Sequence, residues 1–224
     1  MQIGAATHRT VEILRAGGPS ALFWKTLGEL CYRRVHLFVD DLQKPLDLPE
    51  ARVPLEYGLL DKRGMDEYLA LSPDASSSEA SRRLADGHEC VTAHHEGRLA
   101  GYCWSGANRA AVGYLGLELQ LEPHWIYGYE LLVDPALRRQ RVSVGILSAR
   151  RRILAEIGHR YELTAVMPEN KPAYGFQTIM RRQPAGLLAV GWIGPWKRPI
   201  VRVEPVAPYP RFTVEARSPS ATSG

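Results

Sequence analysis

"VDPALRRQRVSVGIL", residues 133–147, runs from an apolar strand end, through three arginines, into a helical pattern. A strand that feeds a tight turn into a helix start is physically an anion site. The first helical N–H groups lack acceptors within the helix, and the helix dipole adds partial positive charge there. Arg138, Arg139 and Arg141 stand where each can add a charge-assisted bond to a phosphate. The same cluster also reads as a solvated helix start or as a patch for a nucleic-acid backbone. The segment by itself leaves all three open.

Working outward, "WIYGYELLV" before it is apolar enough to be a central strand. After it, Val142, Ile146, Ala149, Ile153 and Ile157 recur at helical spacing, and Gly158 is a stop signal, so a helix is expected over 142–158. "YELTAVM" is the next strand, parallel to "WIYGYELLV" if the helix is a crossover. "NKPAYGFQTIM" is a short helix, and "AGLLAVGWI", Gly194-Pro195 and "RPIVRVEP" form a closing hairpin.

Upstream, "VPLEYGLL" is a strand, "DKRGMDEYLAL" a helix opened by Asp61, and "SSSEASRRLADG" a second helix with serines available as caps. "HECVTAHH" and "RLAGYCWSGA" flank Glu96-Gly97 as a hairpin with a tight turn. A turn centred there sets Cys90 opposite Cys103 and makes a cross-strand disulfide conceivable, with the reduced pair as the default. "GYLGLELQL" is a further strand.

Residues 1–50 read as an N-terminal helical extension and linker. "SALFWKTLGELCYRRV" puts Phe23, Leu27, Leu30 and Cys31 near one helical face, "HLFVDDL" is a short strand, and "QKPLDLPEARVP" carries three prolines. The helix is expected to pack on its own domain or on a second copy of the chain. Trp24 with Arg33 and Arg34 also allows peripheral membrane contact. The folded domain is expected over 51–206, with 207–224 a disordered tail.

Composition fits an ordinary globular enzyme. Of 224 residues, 45% are hydrophobic and 23% charged, with a net charge of +4, which excludes a disordered polymer. No apolar run reaches the roughly 18 residues of a spanning helix, and the N-terminus lacks a secretory apolar core. Three cysteines show no metal-ligand spacing, so a reducing cytoplasm is the default expectation. His88, His94 and His95 share one hairpin, but along an extended strand the first two stand too far apart to hold one ion, and no metal is expected.

The order of elements over residues 53–204 resembles the GNAT superfamily of acyl-CoA-dependent N-acyltransferases, best in "YELLVDPALRRQRVSVGIL" and "LTAVMPENKPAYGF". In that family a central strand ends in V-x-P, and R-x-x-G-x-G/A opens the long helix whose amides hold the CoA pyrophosphate. Val133, Pro135 and Arg138 match; Arg141 and Ser143 stand where the two glycines are expected. Asn170 matches a frequent asparagine, whereas the usual tyrosine seven residues on is Gln177, and Arg181-Arg182 replace a Gly-Phe pair. The resemblance implies an α/β fold with a mixed, mostly antiparallel sheet, a central parallel strand pair and flanking helices. It also implies an N-acyltransferase, most simply an N-acetyltransferase, using acetyl-CoA or another acyl-CoA, with a small-molecule or peptide amine as acceptor.

On that resemblance, Leu132 and Val133 flank the thioester, and Arg138, Arg139, Gln140, Arg141, Val142, Ser143 and Asn170 hold the cofactor. Glu130, a carboxylate costly to leave unused among apolar neighbours, accepts the amine proton, and Tyr174 is the candidate acid. Two alternatives remain: an inactive relative that binds a ligand or partner, and a nucleic-acid binder. The second would use Arg138, Arg139, Arg141, Arg150, Arg151, Arg152, Arg181 and Arg182.

Overall fold

The computed structural model describes residues 31–193, 196–203 and 212–216, preceded by residues 19, 23, 24 and 26–28. The chain divides into two compact units.

The first unit comprises Asp40–Ala110 and Gln120–Thr164. Its sheet begins with an edge strand, β2 (Glu56–Leu59), followed by the hairpin β3 (Glu89–His95) and β4 (Arg98–Ala107). Next come β7 (Trp125–Val133) and β8 (Tyr161–Val166), in the order β2-β3-β4-β7-β8. All neighbours are antiparallel except β7 and β8, which pair in parallel from Trp125↔Tyr161 to Gly128↔Thr164. A parallel pair needs a crossover, and helix α3 (Val142–Glu156) supplies it, with Gly158 at φ 102° just past its end.

The hairpin turns at Glu96 (φ 51°) and Gly97 (φ 74°), as the sequence predicts, but its register differs. His94 pairs with Leu99 while Ala93 pairs with Gly101, so Ala100 is an extra residue on β4. That bulge slips the pairing by one, setting Cys90 against Trp104 and Cys103 against Val91. The two thiols therefore point to opposite faces, and the disulfide geometry expected from a symmetric hairpin does not exist; none of the three cysteines is in a disulfide.

On one face of this sheet, α1 (Met65–Leu71) and α2 (Ser77–Ala85) cover Cys90, Tyr102 and Trp104 with Met65, Tyr68 and Ala80. Asp61 does not cap α1 directly; its Oδ1 accepts from the Arg63 and Gly64 amides and sets the turn before the helix. Ser76 caps α2, accepting the Glu79 N–H at 3.1 Å.

The other face packs against α3, where Leu154 meets Ile126 and Leu42. Here Arg150, 1% exposed, is ion-paired with the wholly buried Glu162 on β8. A Cβ at Gly128 would run into both partners, so the strand passes under the pair only because this residue has none. Arg151 is likewise ion-paired, with Asp40, and donates to the Lys44 carbonyl at 2.7 Å.

The second unit comprises Met1–Val39, Ala111–Leu119 and Ala165–Gly224. The strand β1 (Tyr32–Asp41) pairs with β9 (Gln183–Ile193), which pairs in turn with β10 (Trp196–Val203), all antiparallel. Thus "YRRV", expected to end a helix, belongs to a ten-residue strand; the helical residues described before it stop at 28. Phe23, expected on a packed face, is 59% exposed, and Leu30 lies outside the described residues.

"GYLGLELQL" is only partly strand: Gly113–Leu115 is a 3-10 turn, and the strand β6 (Leu117–Gln120) follows the left-handed Gly116. β6 shares a small sheet with β5 (Arg109–Val112) and β11 (Thr213–Ala216), so residues 213–216 of the expected tail are ordered as strand. Helix α4 (Lys171–Ile179) is capped by Asn170, whose Oδ1 accepts the Ala173 N–H at 3.2 Å. The Gly194-Pro195 turn is outside the described residues.

Candidate active site

In the first unit, Asp134 closes the turn after β7 by accepting the Ala136 N–H at 2.8 Å, and Pro135–Leu137 makes one 3-10 turn. The chain then passes through two left-handed residues, Arg139 (φ 67°) and Arg141 (φ 59°), before α3 starts at Val142. The first intrahelical bond runs from Gly145 N–H to Arg141 C=O, so the amides of Val142, Ser143 and Val144 precede it. Val142 is buried and pins the turn, while the Arg138, Arg139 and Arg141 side chains are exposed. Arg141, at the first expected glycine, does adopt the conformation that favours glycine. Its β-carbon is strained, and its guanidinium faces solvent.

Beside this turn, β7 is paired with β8 only as far as Gly128, although β7 continues to Val133. On its other side, Leu131, Leu132 and Val133 pair with Cys103, Tyr102 and Gly101. The register slips between Leu131 and Tyr129, which leaves Glu130 as a bulged residue with φ 48°. The sequence alternation predicts Glu130 and Leu132 on one side, and both line the same cavity.

That cavity, of about 340 Å³, lies among α1, α2, β4 and β7. Its floor is Tyr68 and Tyr102, both 1% exposed, and its rim carries Asp74, Glu79, Arg83 and Glu130. Glu130 Oε1 accepts from Tyr102 OH at 3.1 Å, and Oε2 accepts from Arg83 Nη1 at 2.6 Å. Ser72 Oγ stands 2.5 Å from Tyr102 OH. Burial raises the pKa of Tyr68 and Tyr102, and Glu130 adds to it, so both phenols stay protonated as donors.

Tyr174 and Asn170 belong to the second unit; Tyr174 OH is 3.0 Å from His36 Nδ1, and its ring meets Phe38 edge-on. Gln177, at the position of the family's tyrosine, donates to the Ala173 carbonyl and accepts from Arg182. The arginine tally is corrected too. Arg150, Arg151 and Arg182 are buried, and Arg152 pairs with Glu156, so the helix presents no cationic stripe. The hairpin histidines serve three different partners: His88 binds Tyr129 OH, His94 approaches Glu67, and His95 binds the Pro54 carbonyl.

Sequence reasoning missed Arg83, Tyr68, Tyr102 and Ser72. The i, i+4 spacing of Glu79 and Arg83 was visible, but nothing local ties Arg83 to a residue 47 positions away.

No protein-family profile matches the chain, and no curated protein matches it significantly. Solved structures do. A GCN5-related N-acetyltransferase from Kribbella flavida is 16% identical, with a TM-score of 0.51, over 79% of this chain and 65% of its own. One from Sphaerobacter thermophilus is 12% identical at the same score, over 76% of this chain and 55% of its own. A GCN5-related glucosamine N-acetyltransferase region of a fungal multi-domain β-N-acetylglucosaminidase is 16% identical at 0.51, over 75% of this chain and 22% of that one. With the parallel β7–β8 pair, the crossover helix α3 and the otherwise antiparallel sheet, the chain has the fold of the GCN5-related N-acetyltransferases.

Proposed function

We propose that the protein is an N-acyltransferase that moves an acyl group, most simply acetyl, from acyl-CoA to a primary amine. The observation that carries this reading is the free edge of β7 beyond Gly128, set between the start of α3 and the Glu130 cavity. An extended donor chain bearing amides can add to such an edge as a strand would, with Leu132 and Val133 alongside the thioester. The amides of Gln140 to Ser143 then take the pyrophosphate, with Arg138, Arg139 or Arg141 adding side-chain contacts.

A backbone N–H at the strand end polarises the thioester carbonyl as the amine attacks. The amine nitrogen forms the new amide bond, the C–S bond breaks, and Glu130 takes the amine's proton, directly or through water. The departing thiolate recovers a proton from solvent. Tyr174 is not assigned the acid role here, because its hydroxyl is engaged with His36.

The strained Arg141 specifically favours a second reading, a relative that binds ligand without turnover. Thermal shift with a series of CoA thioesters of increasing chain length tests both. Stabilisation by at least one thioester, with release of free CoA only when an amine is added, supports the enzyme. Stabilisation without release supports the inactive relative. No response to any thioester, together with steeply salt-dependent binding of DNA or RNA, returns the arginine cluster to a nucleic-acid patch.

A further inference from the structure

Arg83 lies one helical turn beyond Ala80, the α2 residue buried against Trp104 and Tyr68, so its side chain emerges where that cluster meets the cavity. Its guanidinium lies 5.3 Å from the centroid of the Trp104 ring and 5.4 Å from that of Tyr129. Nη2 donates to Glu79 Oε1 at 2.7 Å, and Nη1 donates to Glu130 Oε2 at 2.6 Å. Two rings and a helical carboxylate thus fix the fork that holds Glu130.

Among the described residues lining the cavity, Arg83 is the one cation, against the carboxylates of Asp74, Glu79 and Glu130. Among the described residues around Glu130 no second cation stands, and its other donors are the phenols of Tyr68 and Tyr102. Glu79 on α2 and Asp74 before it are like charges. Tyr68 on α1, Tyr102 on β4, Tyr129 on β7 and Cys90 on β3 are neutral; Tyr129 is bonded in turn to His88.

We propose that Arg83 is a positioning residue for acyl transfer: its fixed fork holds the Glu130 carboxylate aimed into the cavity. This rests on the acyltransferase reading above. Burial alone would lower the pKa of Arg83, but its bond to Glu130 outweighs that and raises it, so the guanidinium stays charged. Without the guanidinium, Oε2 would lose its charge-assisted partner, and the carboxylate would be held through Oε1 alone, by the phenols of Tyr68 and Tyr102.

The test is a double-variant cycle in the full chain, with kcat and KM for acetyl-CoA measured beside a primary amine. In Arg83→Met kcat falls by about tenfold or more while KM for acetyl-CoA stays within about twofold, and Arg83→Lys recovers much of the loss. Glu79→Gln, which loosens the fork, lowers kcat in the same direction by less. Adding Arg83→Met to Glu130→Gln brings no further loss, because Arg83 acts only through Glu130.

An unchanged kcat in Arg83→Met, in an active parent, overturns the proposal. So does a further loss when Arg83→Met is added to Glu130→Gln, which is the mark of a merely structural residue. A parent that moves no acyl group overturns the acyltransferase reading and this role with it.

Discussion

Arg141 combines two opposed effects in one side chain. Its left-handed backbone costs roughly 1 kcal/mol relative to glycine, while its exposed guanidinium stands beside the helix start proposed to hold phosphate. Arg141→Gly is therefore expected to raise Tm and weaken CoA binding by about tenfold, read by calorimetry and titration on the same variant. Tighter binding would mean that the side chain obstructs the cradle. His88 and His159 supply a second prediction at this scale. Burial holds both pKa values below 6.5, and His124 lowers that of His159 further. Neutral rings favour the fold, so this stability is complete above the unfolded value and is lost as pH falls through the lowered folded values. Tm should fall on acidification below about pH 6.5. His88→Gln, which can keep the bond to Tyr129, should flatten that fall, and an unchanged slope would contradict the assignment.

The helix α3 shows how an element's own sequence can mislead. Read as a run, Arg150 to Arg152 is a cationic stripe; folded, Arg150 reaches Glu162 under the shelter of Gly128, and Arg151 reaches Asp40. Arg150→Met removes the ion-pair partner of the buried Glu162 and should cost about 3–5 kcal/mol. Adding Glu162→Leu should recover most of that loss in chemical denaturation, and a double variant no better than the single one would refute the pairing argument. Periodicity does place this helix to within two residues, and β7, β8 and the β3–β4 turn are equally legible, because each has one face that must be buried. What is not legible are bulges. The extra residue at Ala100 undoes the alignment of Cys90 with Cys103, and β1 starts four residues early because its partner β9 outweighs local helical spacing. The second is decided by a strand about 150 residues away in sequence, β9.

For the molecule as a whole, the parallel pair and its crossover were readable from the chain because a strand, a helix and a strand in succession leave few arrangements. The site was readable only where it is continuous in sequence. Glu130, Leu132, Val133 and Arg138 to Ser143 are candidates that the sequence offers, whereas the groups around Glu130 come from α1, α2 and β4, up to 62 positions away. The expected acid, Tyr174, lies in the other unit, bound to His36. Acyl transfer is decided by amine-dependent release of free CoA from acetyl-CoA by the full chain, with Glu130→Gln beside it and CoA affinity measured on both. The parent is expected to release CoA when a primary amine is present. Glu130→Gln should slow release by about 100-fold or more and keep CoA affinity within about twofold, since a proton acceptor and not a ligand contact is lost. Equal rates in parent and variant, or no binding of CoA to the parent, would contradict acyl transfer through Glu130.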